Sequence, residues 1–180
     1  MAELGRDRDT GGRARNARPR DAAGRPLPRG ATGVPRVSED LLLAPAEALA
    51  EADRLLQAGS PFAAHEVLEG AWKAAAPAER SLWQGLAQLA VGLTHAQRGN
   101  ATGAVALLRR GRRRIEPYAA RPPYGIAVAR LLAAADALAD RIETAGLAAV
   151  RDEDLRLRLT GAEYNADAAV LRSDPTTDER

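Results

Sequence analysis

The sequence predicts an all-α fold: a compact bundle of about five helices built from stacked helical hairpins, preceded by a disordered arm. Three observations predict it. Apolar residues make up 46% of the 180 residues but aromatic ones only 3%. Alanine and leucine therefore fill the core, and they suit close-packed helices better than a β-sandwich. Between about residues 45 and 143 the apolar side chains recur at helical spacing. Glycine and proline fall between those stretches, where helices stop and start.

The elements follow in order. Residues 1–37 hold Gly and Pro throughout and almost no large apolar side chains, and residues 1–36 carry nine arginines against four acids. Such a segment cannot bury enough surface to offset its ordering entropy, so it is expected to be a disordered arm. The bundle domain is expected over 38–145. A first helix runs from Pro45 to Ala58 and stops at Gly59. A second follows Ser60 as N-cap, with Pro61 at its first position, and ends before Pro77. A third spans about Ala78 to Arg98, with Leu82, Leu86, Ala90 and Leu93 as one stripe. Asn100 caps a fourth that reaches Ile115, and a fifth covers about Ile126 to Glu143. Residues 146–180 are expected to be a poorly defined tail, extended or partly helical, because Leu155, Leu157 and Leu159 alternate with arginines. The turn at Gly59-Ser60 and the helix after it repeat forty residues later at Gly99-Asn100. A helical hairpin used twice can stack and bury stripes that neither copy buries alone.

Composition excludes several chemistries. There are no cysteines, hence no disulfide scaffold, thiolate zinc site, iron–sulfur cluster or cysteine nucleophile. Two histidines cannot form a three-histidine metal site. The 26 basic and 24 acidic residues nearly balance, and Lys73 is the only lysine. The first residues show no apolar leader and no stretch is long enough to span a bilayer, so a cytoplasmic protein without membrane partners is expected. No Gly-rich phosphate loop and no nucleophile elbow is present.

One polar cluster stands out. At about 100° per residue, Phe62, His65, Glu69 and Trp72 share a narrow arc of the second helix, with Glu66 at its edge. Large aromatics usually mark the buried side. On the third helix Gln84, Gln88 and His95 share a side, with Gly85 and Gly92 close by. A mid-helix glycine costs about 1 kcal/mol against alanine, so the pair implies close approach of another helix. Both histidines are therefore expected inside the bundle, in a pocket lined by His65, Glu66, Glu69, Trp72, Gln84, Gln88 and His95.

Three chemistries fit that pocket. A hydrogen-bonded network fixing helix docking ranks first, because buried polar groups must be satisfied. A small polar ligand, or a divalent metal held by His65, Glu69 and His95, ranks second. General-base catalysis in a metal-dependent, hydrolase-like enzyme using His65, Glu66, Glu69 and His95 ranks third. The spacing is neither the zincin pattern nor the paired Glu-x-x-His of di-iron bundles. Separately, Arg109, Arg110, Arg112, Arg113 and Arg114 crowd the end of the fourth helix. Cations suit a helix C-terminus, and a solvated helix end ranks above a nucleic-acid patch formed with the basic arm.

The run His65-Glu66-Val67-Leu68-Glu69 with Trp72, then Gln84 through Val91, His95, Arg98-Gly99-Asn100 and Gly103-Ala104, resembles the domain of unknown function 309 (DUF309) family over about residues 48–115. The resemblance implies a small all-helical bacterial or archaeal protein of unestablished activity. It places that family's polar motif on His65, Glu66, Glu69, Gln84, Gln88 and His95. Ala63 stands where family members usually carry a glutamate, which removes one anionic ligand from the metal reading, and Ala87 stands where they usually carry a bulkier residue. The leading expectation is a non-catalytic binding or interaction module.

Overall fold

A computed structural model describes residues 19–21, 24–28, 30–33 and 43–161. Five α-helices form among the described residues: α1 Pro45–Gln57, α2 Pro61–Ala74, α3 Arg80–Gln97, α4 Ala101–Ile115 and α5 Val128–Ala145. Short 3₁₀ turns occupy Glu116–Tyr118, Pro123–Gly125, Leu147–Ala149 and Asp152–Leu155. Successive helices are packed neighbours, and the α3–α4 pair has the most extensive interface. The predicted helical bundle is the observed one.

The two predicted hairpins share one turn chemistry. Gly59 and Gly99 take the left-handed conformation, with φ of 73° and 80°. Ser60 N–H donates to Leu55 O and Gly59 N–H to Leu56 O. Forty residues on, Asn100 N–H donates to His95 O and Gly99 N–H to Ala96 O. Both sets are Schellman closures, which satisfy the last carbonyls of a helix and need a residue tolerant of positive φ. The caps differ. The Asn100 carboxamide accepts from Gly103 N–H at 2.8 Å. Ser60 makes no side-chain cap bond, contrary to expectation.

The core is alanine and leucine, as the composition implies. Leu49, Leu56, Leu68, Leu82, Leu86, Leu93, Leu108 and Trp83 are fully buried. The glycines explain the tightness of α3 on α4. A Cβ on Gly85 would lie 2.6 Å from Ile115 Cγ2, and one on Gly111 would lie 2.7 Å from the Gly85 carbonyl. A guanidinium–carboxylate row ties α4 to α5. Arg109 pairs with Asp136 at 3.0 Å and Glu143 at 2.9 Å, and with Asp140. Arg112 reaches Asp136 at 2.9 Å and Glu116 at 2.8 Å.

Residues 147–161 differ from the expected poorly defined tail. Leu157 and Leu159 are 6% and 1% exposed. Asp53 of α1 accepts from Leu159 N–H at 2.5 Å, and the Gln57 amide donates to Leu157 O at 3.0 Å. Ala127 N–H donates to Leu159 O, and Ile126 bridges Thr160. Ile126 is thus extended, and α5 starts two residues later than its periodicity suggested. Residues 162–180 lie outside the described residues, as does most of the predicted arm. Where that arm is described, Arg20 sits 5.2 Å above the Phe62 ring and Gly24 is packed against the same ring.

Candidate functional site

α2 and α3 run antiparallel. The Gln97 amide donates to Gly59 O at 3.0 Å, and the Arg98 guanidinium lies 5.5 Å from the Phe62 ring. The start of α2 therefore lies beside the end of α3, and this register sets His65 and His95 at one level. The predicted stripe is present as a seam along this pair, but it is not in the interior. His65, Glu66, Glu69, Trp72, Gln84, Gln88 and His95 are all only half-buried. Among the described residues the buried polar one is Thr94, 2% exposed and bonded to its own helix at Ala90 O.

Two physical reasons account for the shallower placement. Aliphatic residues, not aromatics, form the buried face of α2: Pro61, Ala63, Ala64, Val67 and Leu68. Phe62 and Trp72 remain at the rim, half-buried. On α3, Gly85 and Gly92 do face a close helix, α4. The Gln84–Gln88–His95 line lies roughly 70° around the helix from those glycines, and α4 reaches it only at His95, beside Gly103.

The two imidazoles do not share a partner. His65 Nε2 lies 3.7 Å from the Glu69 carboxylate, and its ring is tilted against Phe62 with centroids 6.2 Å apart. Glu69 is also held by Lys73 at 2.9 Å. Burial pushes the His65 pKa below the usual histidine range, Glu69 opposes the shift, and Lys73 adds to it. His65 is therefore neutral near pH 7. His95 instead bonds forward in sequence. Its Nδ1 lies 2.8 Å from the Asn100 amide nitrogen, which donates to it while Asn100 Oδ1 caps α4. His95 is a corner post of the α3–α4 turn.

The expected metal set is not assembled. Among the described residues no three His, Asp or Glu side chains come together as a metal-holding group. His65 and Glu69 are neighbours, but His95 is committed to Asn100.

Two atoms of the seam are buried without a partner among the described residues: His65 Nδ1 and Gln88 Oε1. Gln97 Oε1 and Arg114 Nε share that condition elsewhere. With the His65 proton on Nε2 toward Glu69, Nδ1 is an acceptor, as is Gln88 Oε1. By register, Gln88 lies beside Trp72, about two helical turns or roughly 10 Å along the seam from His65.

The arginines at the end of α4 divide. Arg109 and Arg112 are spent on the carboxylates of α5 and on Glu116, Arg110 and Arg113 are exposed, and Arg114 is half-buried. The five therefore differ in the carboxylates that hold them.

Residues 49–107 match the model of the domain of unknown function family DUF309. The DUF309 match covers most of α1, all of α2 and α3, and the first half of α4, and so holds every residue of the seam. The arginines at 109–114, α5 and the docked segment up to residue 161 lie beyond it. No curated protein and no solved structure matches the chain.

Sequence reasoning missed one aromatic cluster, which joins α3 to residues beyond the DUF309 match. The Trp83 indole donates to Glu79 at 3.3 Å, and the Tyr124 hydroxyl donates to the same carboxylate at 2.8 Å. The two rings lie 5.8 Å apart. Tyr124 holds a φ of 55°, and burial, with the Glu79 bond, pushes its pKa up to about 12. Tyr118 donates to Ala78 O at 2.8 Å, so both tyrosines latch the α4–α5 connection onto the start of α3. The available signal was the Leu82–Leu86 core stripe beside Trp83, with tyrosines flanking Pro122-Pro123.

Proposed function

We propose that this chain is a non-catalytic binding module, and that the α2–α3 seam takes a small polar ligand bearing N–H or O–H donors. The observation that supports this reading most is the pair of unpartnered acceptors, His65 Nδ1 and Gln88 Oε1. A buried polar atom left unpaired costs about 1–3 kcal/mol, and a donor supplied from outside would remove that cost at both ends of the seam. Trp72 and Val91, both half-buried, give the ligand apolar surface between the two acceptors. The Glu69 carboxylate, 3.7 Å from His65 Nε2, favours a proton on that nitrogen electrostatically, a positioning role rather than a catalytic one. The other readings drawn from the sequence lack such an observation. The metal reading has no three-residue ligand set among the described residues. The nucleic-acid reading has lost Arg109 and Arg112 to ion pairs.

Native mass spectrometry of the full chain as purified tests the proposal. The expected result is a non-covalent small-molecule adduct that disappears in His65→Phe and in Gln88→Leu while circular dichroism shows the helices retained. A wild-type chain without adduct, or an adduct that persists in both variants, overturns it.

A further inference from the structure

A groove of about 330 Å³ opens between α5 and the segment after it, wholly outside the DUF309 match. Arg130, Arg141, Arg156 and Arg158 line it, with Glu153 and Asp154. Its two acids are already engaged. Asp154 is held by Arg141 at 2.6 Å and by Arg151 at 3.1 Å, and Glu153 by Arg151 at 2.5 Å. That engagement keeps the Asp154 pKa down to about 2, with the Arg151 hydrogen bond the largest cause. Arg130, Arg156 and Arg158 are left as exposed cations, and among the described residues no ion pair or hydrogen bond engages their guanidinium groups.

Neither backbone position nor stability explains this convergence. Arg130 lies in the first turn of α5, where there is no acidic residue. A cation there opposes the helix dipole, which favours anions at that end. Arg156 and Arg158 alternate with the buried Leu157 and Leu159, so in an extended segment both point to the side away from the core. The bridge from Ile126 to Thr160 carries that segment past the start of α5 and fixes Arg158 near Arg130. Guanidinium groups gathered on a concave, partly apolar surface at a helix N-terminus are suited to an oxyanion. The volume is that of a small-molecule site.

We propose that this groove binds a small dianion, a phosphate ester or a dicarboxylate, through Arg130, Arg156 and Arg158. The proposal is independent of the α2–α3 seam.

Isothermal titration calorimetry on the full chain at low salt, with inorganic pyrophosphate and with succinate as probes, tests it. The expected result is saturable one-to-one binding of at least one probe. Arg130→Ala and Arg158→Ala each weaken that binding tenfold or more, and Arg110→Ala, on an exposed arginine of α4, leaves it unchanged. Tighter pyrophosphate assigns a phosphate ester, and tighter succinate a dicarboxylate. Saturation by neither probe overturns the proposal. So does equal weakening by Arg110→Ala, or affinity for a long polyanion such as heparin alone.

Discussion

His65 shows how one side chain ties environment to stability. Burial holds its folded pKa below the ordinary value, so the folded chain favours the neutral ring. A depressed pKa contributes stability above the unfolded value of about 6.5, and that stability is lost as pH falls through the folded value. Urea unfolding at pH 7.5 and pH 5.0 checks the sign. Wild type should lose more stability between the two than His65→Gln does, and an equal or smaller loss contradicts the assignment. Which residues share the stripe could be read from spacing alone, because helical geometry fixes which side chains point together. How deep the stripe lies could not. Phe62 and Trp72 suggested an interior, but alanines at 63 and 64 let α2 close on its aliphatic face and left the large rings at the rim.

At the scale of the element, α3 against α4 and α4 against α5 are joined by different means. Gly85 and Gly111 allow backbone contact, and the space one would need for a methyl is filled by the other's helix. Gly111→Ala gains helix propensity but drives a Cβ into the Gly85 carbonyl. Overpacking of this kind costs about 1–3 kcal/mol, so the urea midpoint should fall rather than rise. The α4–α5 contact relies on charge. Removing Arg109 leaves Asp136, Asp140 and Glu143 as like charges on one stripe of α5. Arg109→Ala should cost up to about 1 kcal/mol at low salt, and less at high salt. A loss that is independent of salt would show that packing, not charge, joins these helices. The sequence showed five arginines crowding a helix end, but not which of them were committed, because the acids that hold Arg109 arrive 27 or more residues later.

Across the whole molecule, the chain closes on itself through a contact about a hundred residues apart. Leu157 and Leu159 enter the core, and Asp53 and Gln57 of α1 hold their backbone. Leu159→Ala removes a side chain that is 1% exposed. Such a truncation costs about 2–5 kcal/mol, measurable as a lower urea midpoint together with new proteolysis after Leu155. Local pattern made the five helices legible, since amphipathic periodicity and glycine turns act within one or two elements. The docked segment was not legible, because its strand-like alternation had no visible partner: its partners are Asp53 and Gln57 of α1 and the backbone of Ile126 and Ala127 just before α5. The seam and the anion groove divide the molecule in the same way, one inside the DUF309 match and one in the residues C-terminal to it. The proposed function requires the seam to keep polar atoms unpaired for a ligand, at a cost to stability. Thermal unfolding of Gln88→Leu against wild type reads that cost. If Gln88 Oε1 is unpaired, its removal raises the melting temperature by about 2–4 °C. A fall of that size means that Gln88 already holds the fold together, and the seam is then structural.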